Sequence, residues 1–185
     1  FHKVLFHAAA GGTGLIAMQW ARMMDVEITG TVSSEEKKEL AKNYGAANVI
    51  NYARENFVEQ IRDITQGRGV DVVFDSVGAS TFYQSIQSLK KYGLMVSYGN
   101  ASGKVSAFDL GLLRGDLFIT RPTLWSYVAT RKELEVTFGE LLQLVMLNKI
   151  RVPIYQKKPL EDVVTLHLPL FLDLLKIEND ILKVS

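Results

Sequence analysis

Residues 4–23 restrict the fold more than any other stretch. An apolar run, Val4-Leu5-Phe6, meets a cluster of small residues, Ala8-Ala9-Ala10-Gly11-Gly12-Thr13-Gly14. The chain then continues Leu15-Ile16-Ala17-Met18 with few breakers. This order reads as a buried strand, a tight turn and a helix. A helix N-terminus carries unpaired N–H groups and partial positive charge, so it receives phosphate well. Glycine in such a turn lets the backbone approach a pyrophosphate that a Cβ would hold away. The spacing is not a full Gly-x-Gly-x-x-Gly. Ala9 stands in the first glycine's place, Gly11 and Gly14 follow, and Gly12 is an extra. A stretch like this also suits an ordinary loop, so its surroundings must decide.

Those surroundings repeat the strand–helix alternation. Further strands are predicted at 26–32, 48–52, 70–75, 92–98 and 117–120. Helices are predicted to open at Ser33-Ser34-Glu35-Glu36, with a serine cap and acids in the first turn, and then over 57–64, 80–89 and 130–147. In the longest of these, Leu134, Phe138, Leu141, Leu142 and Val145 form an apolar face. Residues 150–155 read as extended, Pro159-Leu160-Glu161 as a helix start, and 181–184 as a last strand. The expected fold is α/β: a doubly wound parallel sheet of the Rossmann dinucleotide-binding kind, helices on both faces, with right-handed crossovers. Ligands in such sheets lie at the carboxyl ends of the strands. Residues 10–14, 32–34, 51–52, 76–78 and 98–100 would share that edge, which favours a dinucleotide.

Composition narrows the function. Lys+Arg 21 against Asp+Glu 20 gives a net charge of +1 over 185 residues, which argues against nucleic acid as a main partner. There is no cysteine, hence no disulfide framework and no thiolate zinc site. His2, His7 and His167 are scattered without ligand spacing. No apolar run reaches the ~18 residues of a membrane span and no signal peptide is visible. A soluble protein of a reducing compartment, the cytoplasm, is the simplest expectation. Residues 1–185 are read as one cofactor-binding domain, and the non-methionine start suggests a piece of a longer protein.

An NAD site usually places an acid at the end of the second strand. Here that place reads Thr31-Val32-Ser33-Ser34, with no acid before Glu35. The two serine hydroxyls, Ser33 and Ser34, and Lys37 are instead suited to a 2′-phosphate, so NADP(H) is expected over NAD(H). Lys37 also fits a plain surface role within Glu-Glu-Lys-Lys. Tyr52 is placed beside the adenine or as an ordinary strand-end aromatic. Asp75 reads as a cap for Ser76-Val77-Gly78 and not as a catalytic carboxylate. Arg121 either approaches the nicotinamide end of the cleft or is solvated.

Several stretches together resemble the cofactor-binding half of the zinc-free quinone oxidoreductases, the zeta-crystallin relatives in the medium-chain dehydrogenase/reductase superfamily. They are His7-Ala-Ala-Ala-Gly-Gly-Thr-Gly-Leu15, Gly30-Thr-Val-Ser-Ser34, Val49-Ile-Asn-Tyr52, Gly69-Val-Asp-Val-Val-Phe-Asp-Ser-Val-Gly78, the run from Gly93 to Gly103, and Thr120-Arg-Pro122. The resemblance implies an NADPH-dependent reductase of quinones or related enone carbonyls, working without zinc. It places pyrophosphate contacts on Ala10, Gly11, Gly12 and Thr13, beside Gly14. Contacts to the 2′-phosphate and adenosine fall on Ser33, Lys37 and Tyr52. Nicotinamide-side contacts fall on Tyr98, Gly99, Asn100 and the loop Arg121-Pro122-Thr123, with Ser76 at the neighbouring strand end. It also implies a homodimer through the edge strand at 117–120.

Two departures limit the resemblance. The family's catalytic domain would precede Phe1, so no catalytic residue is assigned and the chain alone is expected to bind cofactor and catalyse poorly. The tail 168–185, with Pro169 in an apolar run, departs from the family pattern; residues 150–185 are expected to pack on the absent half or to mediate association. An enoyl-thioester reductase of the same superfamily, or a non-catalytic NADPH-binding module, remains open as an alternative. A methyltransferase-like domain is disfavoured, because it too would need the missing acid after the second strand.

Overall fold

The computed structural model describes residues 2–154, 157 and 159–162. The chain divides into two compact units, Phe1–Val152 and Pro153–Ser185. The expectations for 163–185, including the strand at 181–184 and the tail's packing, lie outside the described residues.

The first unit is built on one sheet of six parallel strands in the order β3-β2-β1-β4-β5-β6. These strands are Lys3–Phe6, Glu27–Val32, Asn48–Asn51, Val70–Asp75, Leu89–Ser97 and Phe118–Thr120. The strand order reverses between β1 and β4, and this sets the crevice of a doubly wound sheet. Strand side chains alternate between faces. Val4, Phe6 and Val49 point to one side, where Met18 and Ala21 of α1 (Gly12–Met23) and Ala41 of α2 (Glu35–Asn43) cover them. Leu5, Ile50 and Val73 point to the other, against Phe57 and Ile61 of α3 (Phe57–Ile64) and Phe82 and Ile86 of α4 (Phe82–Gln87). Burial on both faces explains why these strands read as nearly unbroken apolar runs.

Three of the α-helices start where the sequence supplies a side-chain cap. Ser34 Oγ accepts from Lys37 N–H at the head of α2, and Asn56 Oδ1 accepts from Val58 N–H at the head of α3. The final helix, α6 (Arg131–Met146), carries a full capping box between Thr130 and Glu133. A short helix, α5 (Leu124–Tyr127), was not anticipated.

Most boundaries fall within a residue of expectation, and α4 and β5 differ most. α4 is shorter than 80–89, because Thr81 Oγ1 is tied to Asp75 Oδ2 (2.7 Å) and Leu89 is drawn into the sheet beside Val70. β5 is correspondingly longer than 92–98. It absorbs the extra residues in a register shift against Val70 and Val72, with Tyr92 at φ 62°. β6 forms the expected sheet edge but starts at Phe118.

Candidate functional site: the carboxyl edge of the sheet

The turn after β1 is shaped by close packing. Ala8 takes a left-handed conformation (φ 56°), and Ala9 is fully buried with its N–H on Thr31 O (3.0 Å). A Cβ on Gly30 of β2 would come within 2.5 Å of the Ala9 methyl. The small residue in the first glycine's place is therefore accommodated by a glycine on the next strand. Gly14 is the close-packing position: a Cβ there would meet Ala9 C at 2.6 Å and Ala8 O at 2.7 Å. A Cβ on Gly12, in contrast, would meet nothing within 4 Å, so this residue borders open space.

Helix α1 begins with no acid in its first turn and no side-chain cap. Leu15 N–H makes the first helical bond, to Gly11 O (2.9 Å). Among the described residues, the amides of Ala10, Gly12, Thr13 and Gly14 have no acceptor. Open space, free amides and an uncompensated helix N-terminus form a cradle suited to an anion.

The end of β2 supplies the second part of the site. A cavity of about 200 Å³ is lined by Ala10, Gly11, Ser33, Lys37 and Tyr52, together with Ala8, Thr31 and Val32. Lys37 Nζ lies 3.2 Å from Ser33 Oγ and donates to it. No carboxylate lines this cavity. Glu35 is turned away and accepts from the buried Asn51 amide (2.7 Å), while the Glu36 carboxylate bonds the Ser34 hydroxyl, which keeps its pKa low. The Glu36 carboxylate also feels the Lys37 charge, yet neither acid enters the cavity that Lys37 lines. Tyr52 is exposed at 52 %, and borders both this cavity and a neighbouring cleft of about 460 Å³ between His7, Phe57 and Val77.

The third part is the pair of strand ends after β4 and β5. Asp75 is fully buried. Its Oδ1 accepts from the N–H groups of Val77 (2.7 Å) and Gly78 (3.0 Å), and its Oδ2 from the hydroxyls of Thr81 (2.7 Å) and Ser85 (3.1 Å). Its role is the expected cap, extended into α4. Gly99 passes so close to Ser76 that a Cβ would meet Ser76 Cα at 2.7 Å. Tyr98 packs on Phe6, with ring centroids 6.2 Å apart. Burial pushes its phenol pKa up, against a hydrogen bond with Ser76.

Arg121 is exposed, but its guanidinium is not free. Its Nη1 donates to Ser97 O (3.1 Å), Ser97 Oγ (3.2 Å) and Gly99 O (3.1 Å). In the amide orientation that satisfies both ends, Asn100 donates to Gly99 O and accepts from Arg121 Nη2 at 3.1 Å. Arg121 therefore staples the end of β6 to the turn after β5. Thr123 Oγ1 is 3.0 Å from Ser126 Oγ, beyond Pro122, and neither residue joins the two cavities just described.

Sequence reasoning missed His7 and Thr31. Both are buried, in a polar chain beneath the cleft: His7 Nδ1 lies 2.9 Å from Thr31 Oγ1, and His7 Nε2 lies 2.9 Å from Ser85 Oγ. Burial, partly opposed by the Asp75 charge, lowers the His7 pKa to about 4. The available signal was a histidine immediately after an apolar strand, which by itself does not separate a core residue from a site residue.

The sequence pattern of the zinc-binding dehydrogenase family matches residues 12–143, and the chain belongs to that family. It is 46 % identical over 169 residues to quinone oxidoreductase 1 of Escherichia coli, an alignment covering 89 % of this chain and 52 % of that protein. It is 42 % identical over 168 residues to 2-haloacrylate reductase of a Burkholderia species, covering 89 % and 50 %. The solved structure of Escherichia coli quinone oxidoreductase complexed with NADPH superposes with a TM-score of 0.80 at 46 % identity, over 83 % of this chain and 48 % of that one. The chain spans about half the length of the curated relatives it matches. The family's description names zinc; the sequence has no cysteine, and among the described residues no group of three or more His, Asp or Glu is placed to hold a metal ion. Among the described residues no helix is long and apolar enough to cross a membrane.

Proposed function

We propose that this chain is the NADPH-binding half of a zinc-independent oxidoreductase that reduces quinones or related enone carbonyls. The observation that carries the cofactor reading is the acid-free cavity at the end of β2, with Lys37 Nζ on Ser33 Oγ and Glu35 held away by Asn51. A carboxylate there would repel a 2′-phosphate, whereas a lysine and a hydroxyl bind it through charge-assisted hydrogen bonds. The NADPH complex of the Escherichia coli relative supports the same reading.

In this proposal the amides of Gly12, Thr13 and Gly14 hold the pyrophosphate, Ser33 and Lys37 the 2′-phosphate, and Tyr52 borders the adenosine. Tyr98, Gly99 and Asn100 form the nicotinamide-side wall, with Ser76 behind Gly99. Arg121 holds that wall in place from the Arg121-Pro122-Thr123 loop. The bound cofactor supplies hydride chemistry. The chain's own residues bind it, orient it and shield one side of the cleft from water. Substrate contacts and the remaining catalytic groups belong to the other half of the longer protein. The proposed setting is the cytoplasm, and the proposed assembly is a homodimer through the β6 edge.

The test is fluorescence titration of the 185-residue chain with NADPH and NADH. NADPH is expected to bind at least tenfold tighter. Equal affinity, or preference for NADH, would defeat the cofactor reading. Turnover is tested on the longer protein that contains this chain, by following NADPH oxidation with quinones, enones and 2-haloacrylate. Binding without turnover on any of them would favour a non-catalytic module.

A further inference from the structure

We infer that His7 is a positioning residue, the centre of a directed hydrogen-bond chain, Thr31–His7–Ser85–Asp75, that fixes the spacing of the two loops bracketing the cofactor cleft. The inference rests on the proposed cofactor site and adds a group to it that touches no phosphate or ring.

The direction of the chain follows from its last member. Asp75 has four donors on its two carboxylate oxygens, and Ser85 Oγ is one of them at 3.1 Å. The Ser85 proton is committed to Asp75, so at 2.9 Å from His7 Nε2 the Ser85 oxygen must accept. His7 Nε2 therefore carries the ring proton and Nδ1 is left as an acceptor. Thr31 Oγ1, 2.9 Å from Nδ1, then has to donate. Every bond in the chain has one possible polarity, and no buried side-chain polar atom among the described residues is left unpaired.

The chain joins four elements. Thr31 lies in β2, next to the cavity that holds Ser33 and Lys37, and His7 leads into the Ala8–Gly14 turn. Ser85 belongs to α4, and Asp75 holds the Val77 and Gly78 amides of the opposite loop. His7, Ala8 and Thr31 line the 460 Å³ cleft on one side, and Val77, Ser80 and Thr81 on the other. The ring itself is held edge-on to Phe57, with centroids 5.0 Å apart. Neither Ser85 nor Asp75 lines the cleft, so they can influence a ligand only through the loops they hold.

That separation makes the inference testable with Ser85→Ala, which removes the hydroxyl and touches no ligand. Ser85→Ala is expected to weaken NADPH and NADH binding by the same factor, roughly tenfold, the effect of losing one buried hydrogen bond. Ser85→Thr, which keeps the hydroxyl, is expected to restore most of the affinity. Hydrogen exchange of the Val77 and Gly78 amides is expected to speed up in Ser85→Ala. The 15N spectrum of wild-type His7 is expected to show the neutral ring protonated at Nε2. His7→Phe tests the same chain at its centre. A folded Ser85→Ala protein with unchanged cofactor affinity, or a His7 ring protonated at Nδ1, would overturn the inference. If the wild-type chain binds neither nucleotide, the cofactor reading fails. The loop exchange then decides separately: faster exchange keeps the chain as the device that sets the loops, and unchanged exchange overturns that too.

Discussion

Helices α1 and α6 both show apolar residues at helical spacing, yet they end in opposite environments. α1 buries Gly14, Leu15, Met18 and Ala21 between itself and the sheet. α6 is longer, at 16 residues, and has no buried residue: Leu134, Phe138 and Leu142 are exposed, and Leu141 and Val145 are only half-buried. The physical difference is topological. α1 is the crossover between two adjacent parallel strands, so the chain must carry it back across the sheet face, and a right-handed crossover leaves one place for it. α6 comes after the edge strand β6 and the short helix α5, and no strand succeeds it among the described residues. Local devices hold it instead: the Thr130–Glu133 capping box and the Arg131–Glu135 pair at 2.7 Å. An apolar stripe thus marks a face of a helix, and the connection on either side of the helix decides whether that face is covered.

The two regions should respond to the same change in opposite ways. Gly14→Ala forces a Cβ into the Ala8 and Ala9 backbone and is expected to cost about 3 kcal/mol or more in denaturant unfolding. Gly139→Ala, where a Cβ would meet nothing within 4 Å, is expected to stabilise by about 0.5–1 kcal/mol. A loss at Gly139 like that at Gly14 would break the comparison.

Acid should act on the crevice through His7. The folded-state pKa of His7 is about 4, below its ordinary 6.5, so the unfolded chain binds more protons between these values. His7 therefore makes stability fall as pH drops through that window, by about 1.4 kcal/mol per pH unit at most, and contributes nothing to pH dependence above it. Unfolding measured across pH 4–7 in wild type and His7→Phe checks this. An unchanged slope in the variant would assign the acid sensitivity elsewhere.

Smaller effects sharpen the contrast. Lys37→Ala is expected to weaken NADPH about tenfold and leave NADH unchanged, read by competitive titration. An equal loss for both nucleotides would mean that Lys37 supports the fold of the strand end and not a 2′-phosphate. Leu142→Ala on α6 is expected to change stability by no more than about 0.5 kcal/mol, read from the denaturation midpoint, as for a surface position.

Strand existence was legible from apolar runs, and the cleft edge from the glycines and turn residues that punctuate them. The Ser34 cap, the Asp75 cap and the missing acid after β2 were readable because each follows from residue type at a known position. The Lys37–Ser33 contact and the diversion of Glu35 to Asn51 were not, because they depend on rotamers and on a residue 16 positions away. The Arg121 contacts escaped for a similar reason: its partners are the Ser97 and Gly99 carbonyls, which only strand pairing brings within reach. The ends of α4 and β5 escaped because Leu89 satisfies helix and strand equally, and Val70 decides between them.

By itself the sequence determined a parallel α/β sheet with a cradle of free amides after its first strand, since both follow from local rules: side-chain period, glycine freedom and caps. Tertiary structure alone decided which face of each helix is covered and which way Glu35 turns. It also decided how His7, Thr31, Ser85 and Asp75, spread from residue 7 to residue 85, form one polar chain. Those outcomes depend on contacts between distant segments, and no local pattern in the chain encodes them.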